Sequence, residues 1–213
     1  MLARLLRSLA VLCLAGLSAS AATILFQGSI PDDTGVVLIN FTLNSAQTVT
    51  IHSYGYAGGT VPTLPVATNI SAGGFAPNAI IFDGSGNQII SDNGGHCGNT
   101  LADPVTGNCS DPFIQQLISA GFYTLALVEW DNVPATGNLA DGFKQDGNPG
   151  FTCAEFGLLG NFCDTTTALG TQRNGNWAVA ITGADSATLT PEPATFTLSM
   201  TCLLAIIARR RRH

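Results

Sequence analysis

Short runs of alternating apolar and polar residues dominate the middle of the chain. Val37 and Ile39 fall on one face of one run, and Leu125, Leu127 and Trp130 mark one face of a later run. A period of two predicts half-buried β-strands, because successive side chains of a strand point to opposite faces. The runs are rich in Val, Ile, Thr and aromatic residues. Seven strands are predicted, at 23–28, 36–43, 47–56, 78–82, 88–91, 123–130 and 177–182.

These strands predict an all-β fold, a two-sheet β-sandwich, because no helical stripe of comparable length accompanies them. The sequence Asp-Gly-Ser-Gly-Asn at 83–87 lies between two apolar runs and predicts a hairpin turn. Residues 22–189 are long enough to form one domain with a sizeable core. We therefore expect a single sandwich domain over 22–189.

Residues 1–21 have the pattern of a secretory signal peptide. Arg4 and Arg7 precede an apolar run of ten residues, 8–17, and Ala19-Ser20-Ala21 is a small-residue cleavage site. We expect export by the Sec pathway and removal of this segment.

Residues 190–213 predict a second membrane-directed segment. Fifteen uncharged residues at 194–208 precede four arginines at 209–212. A helix of that length rises about 22 Å, short of the ~30 Å hydrocarbon core, so it predicts a short transmembrane helix suited to a transient stay in the inner membrane. The arginines favour the cytoplasmic side.

The Pro-Glu-Pro sequence at Pro191, Glu192 and Pro193, followed by this hydrophobic stretch and arginine cluster, resembles the PEP-CTERM sorting signal of Gram-negative bacteria. The resemblance covers about a tenth of the chain. It implies recognition by exosortase, a membrane-embedded cysteine transpeptidase, with the three residues as the recognition element. It also implies an organism that makes exopolysaccharide, and delivery to the cell surface or extracellular matrix. An ordinary C-terminal anchor is the alternative.

The expected mature body is strongly acidic. Lys144 and Arg173 are its two cations, against thirteen acids, which gives a formal charge of −11 for 22–189. Such a surface repels nucleic acid, so we expect no nucleic-acid partner.

The body also resembles the bacterial pre-peptidase C-terminal type of domain. The resemblance rests on short pieces over about 24–143, among them Gly73-Gly74-Phe75, Ile81-Phe82-Asp83 and Tyr123-Thr124-Leu125. It implies a jelly-roll-like β-sandwich, of a kind that in some members binds calcium or polymeric substrates. The segments 93–111 and 144–173 depart from the pattern.

Four cysteines lie in the body, and an even number in an exported protein favours disulfides. Three pairings are open. We expect the two local ones, which each close a small loop and contribute about 3 kcal/mol on the chain-entropy model. A zinc site is the rival, but no Cys-x-x-Cys pair is present. The residues are Cys97, Cys109, Cys153 and Cys163.

Loop aspartates are the candidate calcium ligands, because calcium binds six to eight oxygens from such side chains and from carbonyls. No stretch fits an EF-hand, and turn formation explains Asp and Asn in loops without any metal. We expect that the protein needs no cofactor, and calcium is the one candidate ion that these residues could bind. The residues are Asp32, Asp33, Asp83, Asp92, Asp131 and Asp141.

Catalytic motifs are absent from the sequence, which has no Gly-x-Ser-x-Gly and no His-Glu-x-x-His. Glu129 and Asp131 are the one candidate glycosidase pair, and we expect them to be surface residues. Tyr54, Tyr56 and Trp130 could stack on sugar rings, although core packing is their default role.

Taken together, the sequence predicts a non-enzymatic exported protein with a structural or adhesive role, partnered by exosortase during sorting and by exopolysaccharide afterwards. Two alternatives stay open, a calcium-dependent carbohydrate-binding module and a secreted hydrolase.

Overall fold

The computed structural model describes residues 22–63 and 65–190. Within these two ranges it contains mainly short strands, with one turn of α-helix, α1 (Phe151–Ala154), and one 3₁₀ turn, Leu139–Asp141. The strands are β1 (Thr23–Ser29), β2 (Val36–Leu43), β3 (Gln47–Ser53), β4 (Gly59–Val61), β5 (Thr68–Ile70), β6 (Pro77–Phe82), β7 (Gln88–Asp92), β8 (Phe113–Ile118), β9 (Gly121–Glu129), β10 (Cys163–Asp164), β11 (Thr171–Gln172), β12 (Asn176–Thr182) and β13 (Ser186–Leu189).

Two antiparallel sheets form the body of the protein. One has the strand order β1-β12-β3-β8, and the other has the order β13-β2-β9-β6-β7. The short pairs β4-β5 and β10-β11 lie outside these sheets. The expected all-β sandwich is confirmed.

The core lies between the two sheets and is built from one face of each. The odd-numbered residues of β2 and β9 point inward, as the alternation predicts, and meet inward residues of β3 and β12. Each large apolar side chain buried in this way stabilises the fold by about 1.5–3 kcal/mol. Fully buried examples are Ile39, Leu125, Leu127, Val49, Ile51, Val179 and Ile181.

All seven predicted strands are present, with ends that differ by at most three residues. The largest difference is at β3, which ends at Ser53 rather than at residue 56. The chain turns there because the carboxylate of Asp111 accepts the backbone N–H groups of Tyr56 and Ala57. The edge strand β8 was not predicted, since Gln115 and Gln116 interrupt its apolar alternation.

The outer face of the five-stranded sheet is covered over part of its area. Leu139 and Phe143, from the connection after β9, pack on an apolar patch of β6 and β9. Within the described ranges, no helix has the length and apolar character needed to cross a membrane. The covered patch consists of Ile80, Phe82, Ala126 and Val128.

Two long connections meet at the edge of the sandwich. Residues 93–112 join β7 to β8, and residues 144–175 form most of the connection from β9 to β12. They touch through Arg173 and Asp103, and through the Asn108 amide, which donates to the Thr166 hydroxyl at 2.9 Å. We call these two segments the loop assembly. It corresponds closely to the two segments that departed from the family pattern.

Candidate functional site

Arg173 lies at the centre of a buried polar network in the loop assembly. Its Nη1 and Nη2 donate to Oδ1 of Asp103, at 3.2 and 3.1 Å. Nη2 also donates to the carbonyl of Tyr56 at 2.6 Å, and Nε donates to the carbonyl of Gly74 at 2.9 Å. One side chain therefore holds together the turn after β3, the segment before β6 and both long connections.

The ring of Tyr56 is the second centre of this network. It is fully buried, and the Arg173 guanidinium carbon lies 4.0 Å from its centroid, a cation–π distance. The phenol donates to Oδ2 of Asp164 at 2.5 Å and lies 2.8 Å from the Thr106 hydroxyl. Burial, together with the hydrogen bond to Asp164, raises the pKa of Tyr56, so the phenol stays protonated and donates.

The carboxyl of Asp103 shows how burial and hydrogen bonding compete. Burial on its own raises the pKa of Asp103, but the hydrogen bonds from Arg173 and Thr106 outweigh it and the pKa is lowered. Asp103 is therefore ionised and pairs with Arg173 as a buried salt bridge. A pair of this kind fixes geometry, because either partner alone would be a buried uncompensated charge.

Asp111 and Asp33 anchor loops in the same way. Asp111 accepts from the Ser53 hydroxyl at 2.7 Å, in addition to the two backbone N–H groups that end β3. Burial outweighs these bonds and raises the pKa of Asp111. Asp33 accepts from the N–H of Gly150 at 2.7 Å and from the N–H and hydroxyl of Thr152 at 3.1 and 2.7 Å. It thereby ties the β1–β2 connection to the start of α1.

Glu129 is a buried acid whose carboxyl, unlike those of Asp33, Asp103, Asp111 and Asp164, is not fully engaged in hydrogen bonds. It is 1% exposed, and Oε2 has no hydrogen-bond partner among the described residues. Burial raises its pKa well above the ordinary value, and the nearby carboxylate of Asp33 adds to that effect. Its surroundings therefore favour the neutral form of the carboxyl.

This position corrects two expectations. Glu129 was expected on the surface beside Asp131, but a period of two puts it on the inward face with Leu125 and Leu127. Trp130 was also expected on the face of Leu125 and Leu127, but a period of two puts an even-numbered position opposite theirs, and Trp130 lies in a turn after the end of β9. Asp131 lies outside the core, and its carboxylate forms a salt bridge with the Lys144 ammonium at 2.9 Å.

The six candidate calcium ligands do not converge on one site. Each accepts hydrogen bonds from the chain's own groups, and the described ranges contain no group of three or more His, Cys, Asp or Glu side chains placed to hold a metal ion. Their hydrogen-bond partners are Thr34 for Asp32, Gly150 and Thr152 for Asp33, Ser85 and Asn87 for Asp83, Gly94, His96 and Phe113 for Asp92, Lys144 and Gln145 for Asp131, and Thr136 for Asp141.

Both expected disulfides are present in the loop assembly. Cys97 bonds to Cys109 and Cys153 bonds to Cys163, with sequence separations of 12 and 10. Each long connection therefore carries one covalent crosslink as well as its share of the buried network.

The three aromatic residues singled out as candidate sugar platforms are all packed to some degree. Tyr56 is buried, and Tyr54 stacks on His52 with ring centroids 4.0 Å apart. Trp130 is half-buried, and within the described ranges its indole Nε1 is buried without a hydrogen-bond partner.

The sorting residues Pro191, Glu192 and Pro193 lie outside the described residues. So do the expected signal peptide at 1–21 and the arginine cluster at 209–212.

The network around Arg173 was not predicted from the sequence. One signal was present, because Arg173 is one of only two cations in a body with thirteen acids. Such a lone arginine is a natural centre for buried carboxylates, since its five N–H donors can serve several acceptors. The partners, however, come from distant segments and have no sequence pattern.

Comparison with models of protein families and with curated protein sequences found no match to this chain. Its function is therefore argued from its residues and their contacts.

Proposed function

We propose that this chain is an exported, non-enzymatic protein with a structural or adhesive role at the cell surface or in the exopolysaccharide matrix of a Gram-negative bacterium. The observation that carries the proposal is the use of its buried acids. Asp33, Asp103, Asp111 and Asp164 each accept hydrogen bonds from the chain's own groups. These carboxyls hold loops in place, and the two disulfides beside them suit an oxidising compartment.

The sandwich is of the jelly-roll type in this proposal. The strand orders β1-β12-β3-β8 and β2-β9-β6-β7 support it, because the chain passes repeatedly from one sheet to the other. This arrangement also supports the resemblance to the pre-peptidase C-terminal type of domain. The strand β13 extends the second sheet beside β2.

The route to the surface follows from the two ends of the sequence. Residues 1–21 direct Sec export, and residues 190–213 hold the chain in the inner membrane with the arginines inside. Exosortase then recognises Pro191 to Pro193 and releases or transfers the body.

The two alternatives have less support from the contacts. A hydrolase would use Glu129 and Asp131, but Glu129 is buried beneath the sheet and Asp131 is paired with Lys144. A calcium-dependent module would need several acidic side chains in one place, and among the described residues no three such side chains are placed to hold a metal ion.

Fractionation of the native cells tests the proposal. The full chain and a variant that ends at Leu189 are each followed by immunoblot through the cytoplasmic, inner-membrane and matrix fractions. We expect the full chain in the matrix fraction, and the shortened chain free in the periplasm or medium. Equal distribution of the two would overturn the sorting route, and residence of the full chain in the cytoplasm would overturn the proposal as a whole.

A further inference from the structure

Six side chains form two parallel rows on the uncovered part of the five-stranded sheet. In the first row Thr188 pairs with Asn40, and Asn40 with Thr124. In the second row Ser186 pairs with Thr42, and Thr42 with Phe122. They point away from the core, because they alternate along their strands with inward residues such as Phe41 and Tyr123. We call these six residues the outer-face groove.

The outer-face groove has walls as well as a floor. The turn at 83–86 borders it, and so does Leu139 from the connection after β9. The space between them is open to solvent on one side and is about 320 Å³, which is at the lower end of the range for small-ligand sites. Its floor is a set of paired strands, so the side chains are held in place before any ligand arrives.

Phe122 is the apolar member of the groove and is 75% exposed. Other apolar side chains on this outer face, such as Phe82 and Val128, are covered by Leu139 and Phe143. Phe122 is left open to solvent at the end of its row, beside Thr42. An open aromatic ring can stack on the C–H face of a sugar ring.

The polar members of the groove can both donate and accept. The Thr124 hydroxyl donates to Oδ1 of Asn40 at 2.9 Å, which orients the amide and leaves its Nδ2 as a donor. The hydroxyls of Ser186 and Thr188 belong to exposed residues of the edge strand β13. Sugar hydroxyls require this mixture of donors and acceptors.

The charges around the groove select a neutral ligand. Among the described residues that line it, Asp83 is the one charged residue, and its Oδ1 already accepts the N–H groups of Ser85 and Asn87 within the turn. No lining residue in the described ranges is a cation that would attract an anion, and the body as a whole carries a formal charge of −11. An acidic polymer would be repelled.

We propose that the outer-face groove binds a neutral polysaccharide, with Phe122 stacking on one sugar and the surrounding hydroxyl and amide groups bonding to its hydroxyls. The inference rests on the proposed matrix role and names the class of matrix polymer that the protein contacts. It requires no calcium, because Asp83, the one candidate calcium ligand beside the groove, already accepts N–H groups of its own turn, and the described ranges contain no group of side chains placed to hold a metal ion.

The test uses the exported protein, purified from outside the cells. Binding is measured by affinity electrophoresis and calorimetry against a soluble β-glucan, a mannan and a dextran, with alginate as the acidic comparison. Each titration is repeated with a calcium chelator. The variants are Phe122→Ala, Phe122→Trp and Thr42→Val, and the control is Leu117→Ala, which removes a similarly exposed side chain (66%) from β8.

We expect at least one neutral polymer to bind, and Phe122→Ala to weaken its binding roughly 10- to 100-fold, the effect of removing one stacked apolar side chain. Thr42→Val should cost roughly threefold to tenfold, the range for one hydrogen bond. Phe122→Trp and Leu117→Ala should bind as the wild type does, and the chelator should have no effect.

Three results would overturn the inference: no binding of any neutral polymer, binding of Phe122→Ala at wild-type strength, or a loss in Leu117→Ala as large as that in Phe122→Ala. Its failure is distinguishable from failure of the proposed function. A protein that is found in the matrix and binds no neutral polymer contradicts the groove's role alone, whereas a protein that is exported and binds a neutral polymer but is not found in the matrix fraction contradicts the matrix role alone.

Discussion

The guanidinium carbon of Arg173 lies 4.0 Å from the ring centroid of Tyr56, and Nη2 of the same side chain donates to the Tyr56 carbonyl at 2.6 Å. These two residues are 117 positions apart. Their contact joins the turn after β3 to the end of the long connection before β12. The organisation of the loop assembly depends on this contact and on the salt bridge to Asp103.

Replacing Arg173 should be strongly destabilising. Arg173→Met leaves Asp103 as a buried charge without its partner, so we expect a loss of about 3–5 kcal/mol in the free energy of unfolding. Urea denaturation measures it. The matched control is Lys144→Met at the exposed pair with Asp131, which should cost about 0–1 kcal/mol.

A second change separates the lost charge pair from lost packing. Adding Asp103→Asn to Arg173→Met removes the uncompensated charge, and we expect part of the stability to return. Equal effects of Arg173→Met and Lys144→Met would contradict the role given to Arg173.

Each disulfide should contribute independently to stability. Replacing both cysteines of either pair with serine should lower the free energy of unfolding by about 3 kcal/mol, because each closes a short loop in the unfolded chain. The check is denaturation with and without reductant. Reductant should lower the denaturation midpoint of the wild type. It should not change the midpoint of a variant in which all four body cysteines are replaced. A wild-type midpoint that is the same with and without reductant would refute the prediction.

Glu129 should make the protein less stable as pH rises. Its folded-state pKa lies well above 4.5, so above pH 4.5 the folded chain keeps a proton that the unfolded chain releases. This group then removes about 1.4 kcal/mol per pH unit until the folded-state pKa is reached.

Glu129→Gln tests this directly, because an amide resembles the neutral acid in shape and does not titrate. The difference in unfolding free energy between the variant and the wild type should grow in favour of the variant as the pH rises from 4.5 towards the folded-state pKa of Glu129. A difference that stays constant over this range would contradict the protonated buried carboxyl.

His52 should titrate at an unusually low pH. It is partly buried between Tyr54 and Phe113, and this burial lowers its pKa from 6.5 to about 4. Between those two values the unfolded chain binds a proton that the folded chain does not, so this group reduces stability as pH falls from 6.5 towards 4. NMR titration of the imidazole gives the midpoint, and a value near 6.5 would show that the ring is solvated.

Much of the sandwich follows from the sequence, because its central strands alternate clearly. Val37 and Ile39 identified the inward face of β2 correctly, and the turn at 83–87 is where Asp and Gly placed it. The edge strand β8 was not predicted. Both of its glutamines are exposed at the edge of the sheet, where a strand does not need to alternate apolar and polar residues.

The functional features were harder to foresee. The buried network depends on Arg173, Asp103 and Tyr56 meeting across long loops, and no local pattern encodes such a meeting. Phe122 did leave a signal, since the period of two that places Leu125 and Leu127 inward places Phe122 outward. What the sequence could not show is that Leu139 covers the neighbouring apolar residues and leaves Phe122 open.

The measurement that tests the central claim most directly is the intact mass of the protein recovered from outside the native cells, beside that of a Pro191→Ala, Pro193→Ala variant. The account predicts a wild-type mass that lacks residues 1–21 and the segment after the Pro-Glu-Pro sequence, with four hydrogens fewer than the reduced chain because of the two disulfides. The variant should keep its C-terminal segment. An exported wild-type protein that still ends at His213 would contradict sorting by exosortase.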